Sequence, residues 1–258
     1  MSRVPAEVIA QLAPTGVLRA GINMSNFLLV VDKTPSGDPI GPSPSLAAAI
    51  ADALGVPLKL VPYNNPSAVA AAAGTGEWDI GNIGAEPQRA AVMDFTAAYA
   101  EIEATYLVPP GSTIQSIDEV DRPGNRISVS KGSAYGLWLE NNIKQAELKP
   151  VEGGDAAFDQ FVNDKMEALA SLRPRLVTEA EKLPGSRILD GQFAVVQQAV
   201  GNSHPVQFTD GVELGFPLLQ ILFLASLVPQ FPVNAKATFL HVFGNLLGEG
   251  QSHTAPDS

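Results

Sequence analysis

The sequence contains no cysteine. Disulfides, iron–sulfur clusters, thiolate zinc sites and a cysteine nucleophile are therefore excluded. Histidine is nearly as scarce: His204, His241 and His253 are the only three, all in the last quarter of the 258 residues. Most of the chain thus offers no imidazole for a serine–histidine triad or a metal centre. The late histidines stand too far apart to suggest a metal, and neither a cofactor nor a metal site is expected. Positive charge is also in short supply, with 16 Lys and Arg against 27 Asp and Glu and a net charge of −11. Nucleic acid is not an expected partner, because phosphates require basic patches.

Long apolar runs are missing too. The strongest, at 216–233 (FPLLQILFLASLVPQFPV), is uninterrupted only over 218–228 and bounded by Pro217, Pro229 and Pro232. A spanning helix needs roughly 20 apolar residues. The run reads as a helix buried in the core or against a partner, with membrane contact as the other reading. Residues 1–17 (MSRVPAEVIAQLAPTGV) lack the basic region and apolar stretch of a secretory leader. Either a leader lies outside this sequence or the protein stays inside the cell.

What is present is an ordinary share of apolar residues, 45%, with 17% charged, enough for a substantial core. The chain alternates strand-like and helix-like segments. VLRAGI at 17–22 is β-prone, and LAAAIADAL at 46–54 is helical and stopped by Gly55 and Pro57. Strands follow at 58–61, 78–83 and 102–108, with a helix at 68–73 and a helix opened by Pro87. A second cycle runs through a strand at 126–129, helices at 134–142 and 158–164, a strand at 167–171, a helix at 175–182 and a strand at 187–189. Residues 195–200 read as a crossing segment. Two similar cycles of this kind imply two α/β lobes, each a mostly parallel sheet flanked by helices. Beyond Gly201 charge thins out, phenylalanine accumulates and the alternation is lost.

The stretch richest in possible chemistry is DIGNIGAEPQRAAVMDFTAAY at 79–99. A strand ends at Asn82-Ile83-Gly84 and a helix begins near Pro87, a junction whose free backbone N–H groups favour an anion. Arg89 falls in the first helical turn, where the macrodipole disfavours a cation unless it grips a carboxylate. The other reading is a surface arginine paired with Glu86 or Asp94. Lys131-Gly132-Ser133-Ala134 is a second candidate. Gly132 permits close backbone approach, and Ser133 caps the following helix, whose free amides would grip an anion. Plain helix capping explains Ser133 equally well.

The 79–99 stretch resembles the extracellular solute-binding proteins of family 3, the amino-acid-type receptors of ABC importers. Arg89 matches the family arginine that binds the ligand's α-carboxylate, and Asp94-Phe95-Thr96 with Tyr99 match the residues after it. Gly16-Val17-Leu18-Arg19, Leu107-Val108-Pro109, Ile127-Ser128-Val129 before Lys131-Gly132-Ser133, and Met166-Glu167-Ala168 resemble other family segments, so the likeness runs from about Pro14 to Gly201. It implies a two-lobe clamshell of the type II periplasmic-binding-protein class. Lobe one would be 1–108, lobe two 109–194, the second hinge strand 195–201, and 202–258 a divergent tail. The implied ligand-binding set is Arg89, Gly84, Asn82, Ser133, Gly132, Asn26, Phe27 and Glu86.

Several positions depart from the family pattern. Its ammonium-binding aspartate aligns with Leu172, so another carboxylate must serve or the ligand lacks an amine. Glu101 and Glu103, on one face of a strand, and Glu86 are the candidate substitutes; each also reads as an ordinary solvated carboxylate. Asn26 stands where many relatives stack an aromatic ring, and the neighbouring Phe27 either lines the pocket or fills the core. Trp78 and Trp138 read as core.

The resemblance implies a non-catalytic binding protein. It would close on a small carboxylate-bearing solute, an amino acid or related organic acid, around hinges near Leu107 and Val195. It would then dock an ABC transporter permease, its only link to the membrane, from a periplasmic or extracellular location. The alternatives are a cyclohexadienyl- or arogenate-dehydratase-like enzyme on the same scaffold and a cytoplasmic relative that senses or buffers a metabolite.

Overall fold

The computed structural model describes residues 4–202. The apolar run at 216–233, the three histidines and the remainder of the tail lie outside the described residues.

A short helix α1 (Ala6–Leu12) precedes β1 (Leu18–Asn23), a two-stranded ribbon of β2 (Asp32–Lys33) and β3 (Pro39–Ile40), and helix α2 (Pro42–Leu54). Proline opens α2, and Gly55 closes it in the left-handed region at φ 71°. Next come β4 (Leu58–Tyr63), α3 (Pro66–Ala71), β5 (Ile80–Gly84), the single turn α4 (Pro87–Ala90), β6 (Asp94–Phe95) and the long β7 (Ala100–Val108). Asn65 caps α3 by accepting the Ala68 N–H at 2.8 Å. The second cycle is β8 (Arg126–Ser130), α5 (Ala134–Asn142), β9 (Glu147–Val151), α6 (Gly154–Asn163), β10 (Ala168–Leu172), α7 (Arg173–Lys182), β11 (Arg187–Ile188) and the long β12 (Ala194–Asn202).

The strands run in the order β4-β1-β5-β12-β7-β10-β8-β9. Two parallel units, β4-β1-β5 and β10-β8-β9, therefore flank a central antiparallel pair, β12 and β7. Because those crossing strands pair with each other, the two halves share one hydrogen-bonded path. Each half still has its own packing centre. Leu18, Ile22, Leu46 and Ile50 fill one side of the first half, and Val69, Trp78 and Ile83 fill the other. In the second half Ile127, Val129 and Leu139 form one cluster, and Phe161, Leu169 and Leu176 another.

Matching ion pairs pin the amino ends of the two units. Asp79 accepts the Arg19 N–H at 2.8 Å and Nε at 3.0 Å, and Glu167 accepts the Arg126 N–H at 2.8 Å and Nε at 2.9 Å. Trp78 is fully buried and donates its indole N–H to the Val69 carbonyl at 3.0 Å. Trp138 is half-buried, its ring 5.4 Å from that of Phe193.

Three differences from the sequence reading have local causes. Strand β9 is not among the expected strands; it carries Pro150, and as an edge strand it tolerates the missing N–H. Helix α6 starts four residues before the expected 158, at Gly154 rather than in the apolar run. Helix α4 is only four residues long, so Arg89 lies in its last turn as much as its first. The macrodipole argument for Arg89 therefore falls away.

Candidate functional site

Parallel strands in an open α/β sheet aim their carboxyl ends at one edge, where ligands gather. A cleft of about 420 Å³ opens at that edge. Asn23 ends β1, Gly84 ends β5, Ser130 ends β8, and Ser171 and Leu172 end β10; all of them line it. The crossing strand β12 adds Val196 and Gln198 to the wall. Both halves of the molecule thus face one space.

Arg89 is the buried cation of this cleft, 4% exposed. Its Nη1 donates to the Gly84 carbonyl at 2.7 Å and its Nη2 to the Gly132 carbonyl at 2.9 Å. These bonds fix the guanidinium between the two halves, but carbonyls cannot neutralise it. Among the described residues it makes no ion pair with a carboxylate. Burial lowers its pKa to about 10, opposed by the nearby charge of Glu86, so it remains charged at neutral pH. A guanidinium has five N–H donors, and three remain for a ligand.

Two glycines make this placement possible. A Cβ at Gly84 would sit 2.9 Å from Ala134 Cβ and 3.3 Å from Arg89 Nη1. Gly132 adopts φ 63°, and a Cβ there would collide with Ser67 Oγ, which donates to the Gly132 carbonyl at 3.2 Å.

Ser133 lines the cleft, but its hydroxyl is committed. It accepts the Gly136 N–H at 3.0 Å and donates to the Ser130 carbonyl at 2.7 Å. Capping accounts for the side chain, while the first-turn amides of Ala134 and Tyr135 lack intrahelical acceptors at the cleft wall. Asn26 and Phe27 also line the cleft. The Asn26 Oδ1 accepts the Leu28 N–H at 3.2 Å, and the Phe27 ring is 38% exposed, an apolar plate facing solvent.

Of the eight residues singled out in the sequence, Arg89, Gly84, Ser133, Asn26 and Phe27 share the cleft lining, and the other three do not. Asn82 is turned to α2, donating to the Ser43 carbonyl at 2.9 Å and hydroxyl at 3.0 Å. Gly132 acts behind the wall through its carbonyl. Glu86 stands off the cleft, its pKa pushed up by burial and drawn partly back by Arg89.

Sequence reasoning missed Gln198, Ser171, Tyr135 and Arg175. Nothing local marks them; the strand ends that present them are brought together only by the topology. Arg175 is not a free cation. Burial opposes its charge, but Asp155 and Glu179 bind it and leave its pKa above the ordinary value. Among the described residues no cluster of side chains suited to a metal occurs, and no helix is long and apolar enough to cross a membrane.

The chain matches no curated protein in sequence. Solved structures resemble it at low identity. An ancestral amino acid-binding protein, AncCDT-1, described as a precursor of cyclohexadienyl dehydratase, is 20% identical with a TM-score of 0.64, over 92% of this chain and 98% of that one. A putative binding component of an ABC transporter from Wolinella succinogenes, complexed with lysine, is 19% identical with a TM-score of 0.66, over 89% and 95%. The cysteine-binding protein from Campylobacter jejuni is 16% identical with a TM-score of 0.66, over 97% and 96%. Such likeness carries the fold, a two-lobe α/β arrangement of the type II periplasmic-binding-protein class. In sequence, residues 18–178, more than half of the chain, match one family. This protein belongs to the bacterial extracellular solute-binding proteins, family 3.

Proposed function

We propose that this chain is a non-catalytic solute-binding protein that holds a small carboxylate-bearing solute, an amino acid or related organic acid, in the cleft. The observation that carries the reading is Arg89: a buried guanidinium at the wall, fixed by two carbonyls and unneutralised by any carboxylate among the described residues. A carboxylate provides the charge-assisted bidentate pair that this group lacks.

Closure follows from the same contacts. Arg89 belongs to one half and the Ala134 and Tyr135 amides to the other, so a solute held by both favours the closed arrangement by population shift. The lobe limits belong to this reading: 1–108 and 109–194, with 195–201 as the returning hinge strand. The closed form would dock an ABC permease outside the cytoplasmic membrane, in the periplasm or at the cell exterior. Family membership supports that location.

Isothermal titration calorimetry of the parent and Arg89→Ala tests the anchor. Loss of the pair is expected to weaken binding of an acidic solute by about 2–4 kcal/mol. Equal affinity in both proteins rules the anchor out. A dehydratase-like reading has less support, since Glu86, the carboxyl pushed up by burial, does not line the cleft. Product formation from prephenate or arogenate would establish it.

A further inference from the structure

We infer that the solute of this cleft is a carboxylate without a charged amine, and that the side-chain amide of Gln198 recognises a neutral polar group on it. The inference rests on the reading of the cleft as a carboxylate site.

Among the described residues, the buried wall supplies positive charge and no negative charge. Leu172 stands at the carboxyl end of β10, where it lines the cleft. The carboxylates proposed to replace an aspartate there all lie elsewhere. Glu103 is exposed and paired with Arg173, and Glu101 is exposed beside Gln197 Nε2 at 3.3 Å. Glu86 is off the wall. Two carboxylates do line the cleft, Glu152 and Asp155, but they are solvent-exposed and already paired, with Lys131 and Arg175. An ammonium entering the buried part would exchange water for neutral dipoles alone.

Gln198 shows what such a wall selects. It is 5% exposed and lines the cleft, and its side-chain amide has no hydrogen-bond partner among the described residues. The amide opens on the cleft and is not among the buried atoms left without a partner, so a ligand group that pairs it replaces water there and gains a hydrogen bond in a largely enclosed site. Val196, two residues earlier on the same face of β12, keeps its surroundings apolar. A 2-hydroxy or 2-oxo acid supplies both needs: a carboxylate for Arg89 and an uncharged oxygen for the amide. An α-amino acid supplies the carboxylate but brings a cation for which the buried wall holds no anion among the described residues.

The test is isothermal titration calorimetry of the full chain against matched sets of amino, 2-hydroxy and 2-oxo acids: those of leucine, phenylalanine and glutamate. In at least one set the hydroxy or oxo acid is expected to bind at least about tenfold more tightly than the amino acid, and Gln198→Leu to remove about tenfold of that affinity. Leu172→Asp places a carboxylate on the wall at the N-cap of α7, a position where aspartate favours the helix, and is expected to reverse the preference. Melting temperatures recorded for each variant separate lost binding from lost fold, and the Leu172→Asp arm stands without the Gln198 variant. Tighter, Arg89-dependent binding of an amino acid than of its hydroxy and oxo partners overturns this inference and leaves the binding-protein reading standing. Unchanged affinity in a folded Gln198→Leu protein removes Gln198 from it. Absence of any Arg89-dependent binding overturns both readings.

Discussion

The two rims of the sheet treat arginine in opposite ways. At the amino rim, Arg19 and Arg126 each give a backbone N–H and a guanidinium to a carboxylate placed just before the adjacent strand, Asp79 or Glu167. At the carboxyl rim, Arg89 is buried deeper than either and meets only carbonyls. A guanidinium closed by a carboxylate inside the fold stabilises that fold and has little left to offer a solute. One held in place by neutral acceptors keeps its charge for whatever enters. On the function proposed above, the contrast assigns stability to one rim and binding to the other.

The sharpest way to break that separation is Asp79→Ala. Asp79 is 1% exposed and the Arg19 side chain 18%, so the cation is left half-enclosed without its partner. Urea unfolding is expected to show a loss of about 2–3 kcal/mol, with solute affinity unchanged. Gly132→Ala comes next, since its left-handed backbone and the approach of Ser67 both resist a Cβ. We expect a stability loss of about 1–2 kcal/mol together with weakened binding, because the carbonyl that holds Arg89 is displaced. Arg89→Met is expected to leave unfolding within about 1 kcal/mol of the parent while abolishing carboxylate binding. A large destabilisation there would place Arg89 with the structural arginines and erase the contrast.

The smallest effect is at the half-buried pair of Arg126 and Glu167. Hydrogen bonds from Arg126 hold the Glu167 carboxyl below its ordinary 4.5. Burial works against the charge of Asp121, but the N–H groups of Ala146, Gln145 and Lys144 outweigh it and hold that carboxyl low as well. Both groups therefore add stability that is complete above the ordinary carboxylate range and lost as pH falls through their depressed values. Glu167→Gln is expected to lower the melting temperature modestly at pH 7 and to converge on the parent at acid pH, which flattens the acid limb.

Much of the scaffold is legible in the residues. Gly55 after LAAAIADAL stops α2, Ser133 starts α5, and the apolar runs of β1 and β7 mark buried strands. Elements with mixed signals were harder to see: Pro150 inside β9 and the glycines at the start of α6 speak against structure that neighbouring strands impose. Of the candidate cleft, Arg89 and Gly84 are legible in sequence, where local pattern and chemistry coincide. Gln198 and Tyr135 are not; they are unremarkable in sequence and gain meaning from sharing a wall. Asn82 does not line the cleft because it lies two residues back from the end of β5, where its side chain pairs with Ser43 of α2.

By itself the sequence determined which segments become most of the strands and helices, that thiol and imidazole chemistry is absent from the first two hundred residues, and that one arginine follows a strand end. Those are properties of residue type and spacing, set within a few turns of chain. Only the tertiary structure decided that Arg89 faces carbonyls from both halves, that Leu172 and Gln198 share its wall, and that Glu86, Glu101 and Glu103 stand apart. Charge pairing and desolvation depend on distances between strands remote in sequence, and the crossing of β7 with β12 fixes those distances.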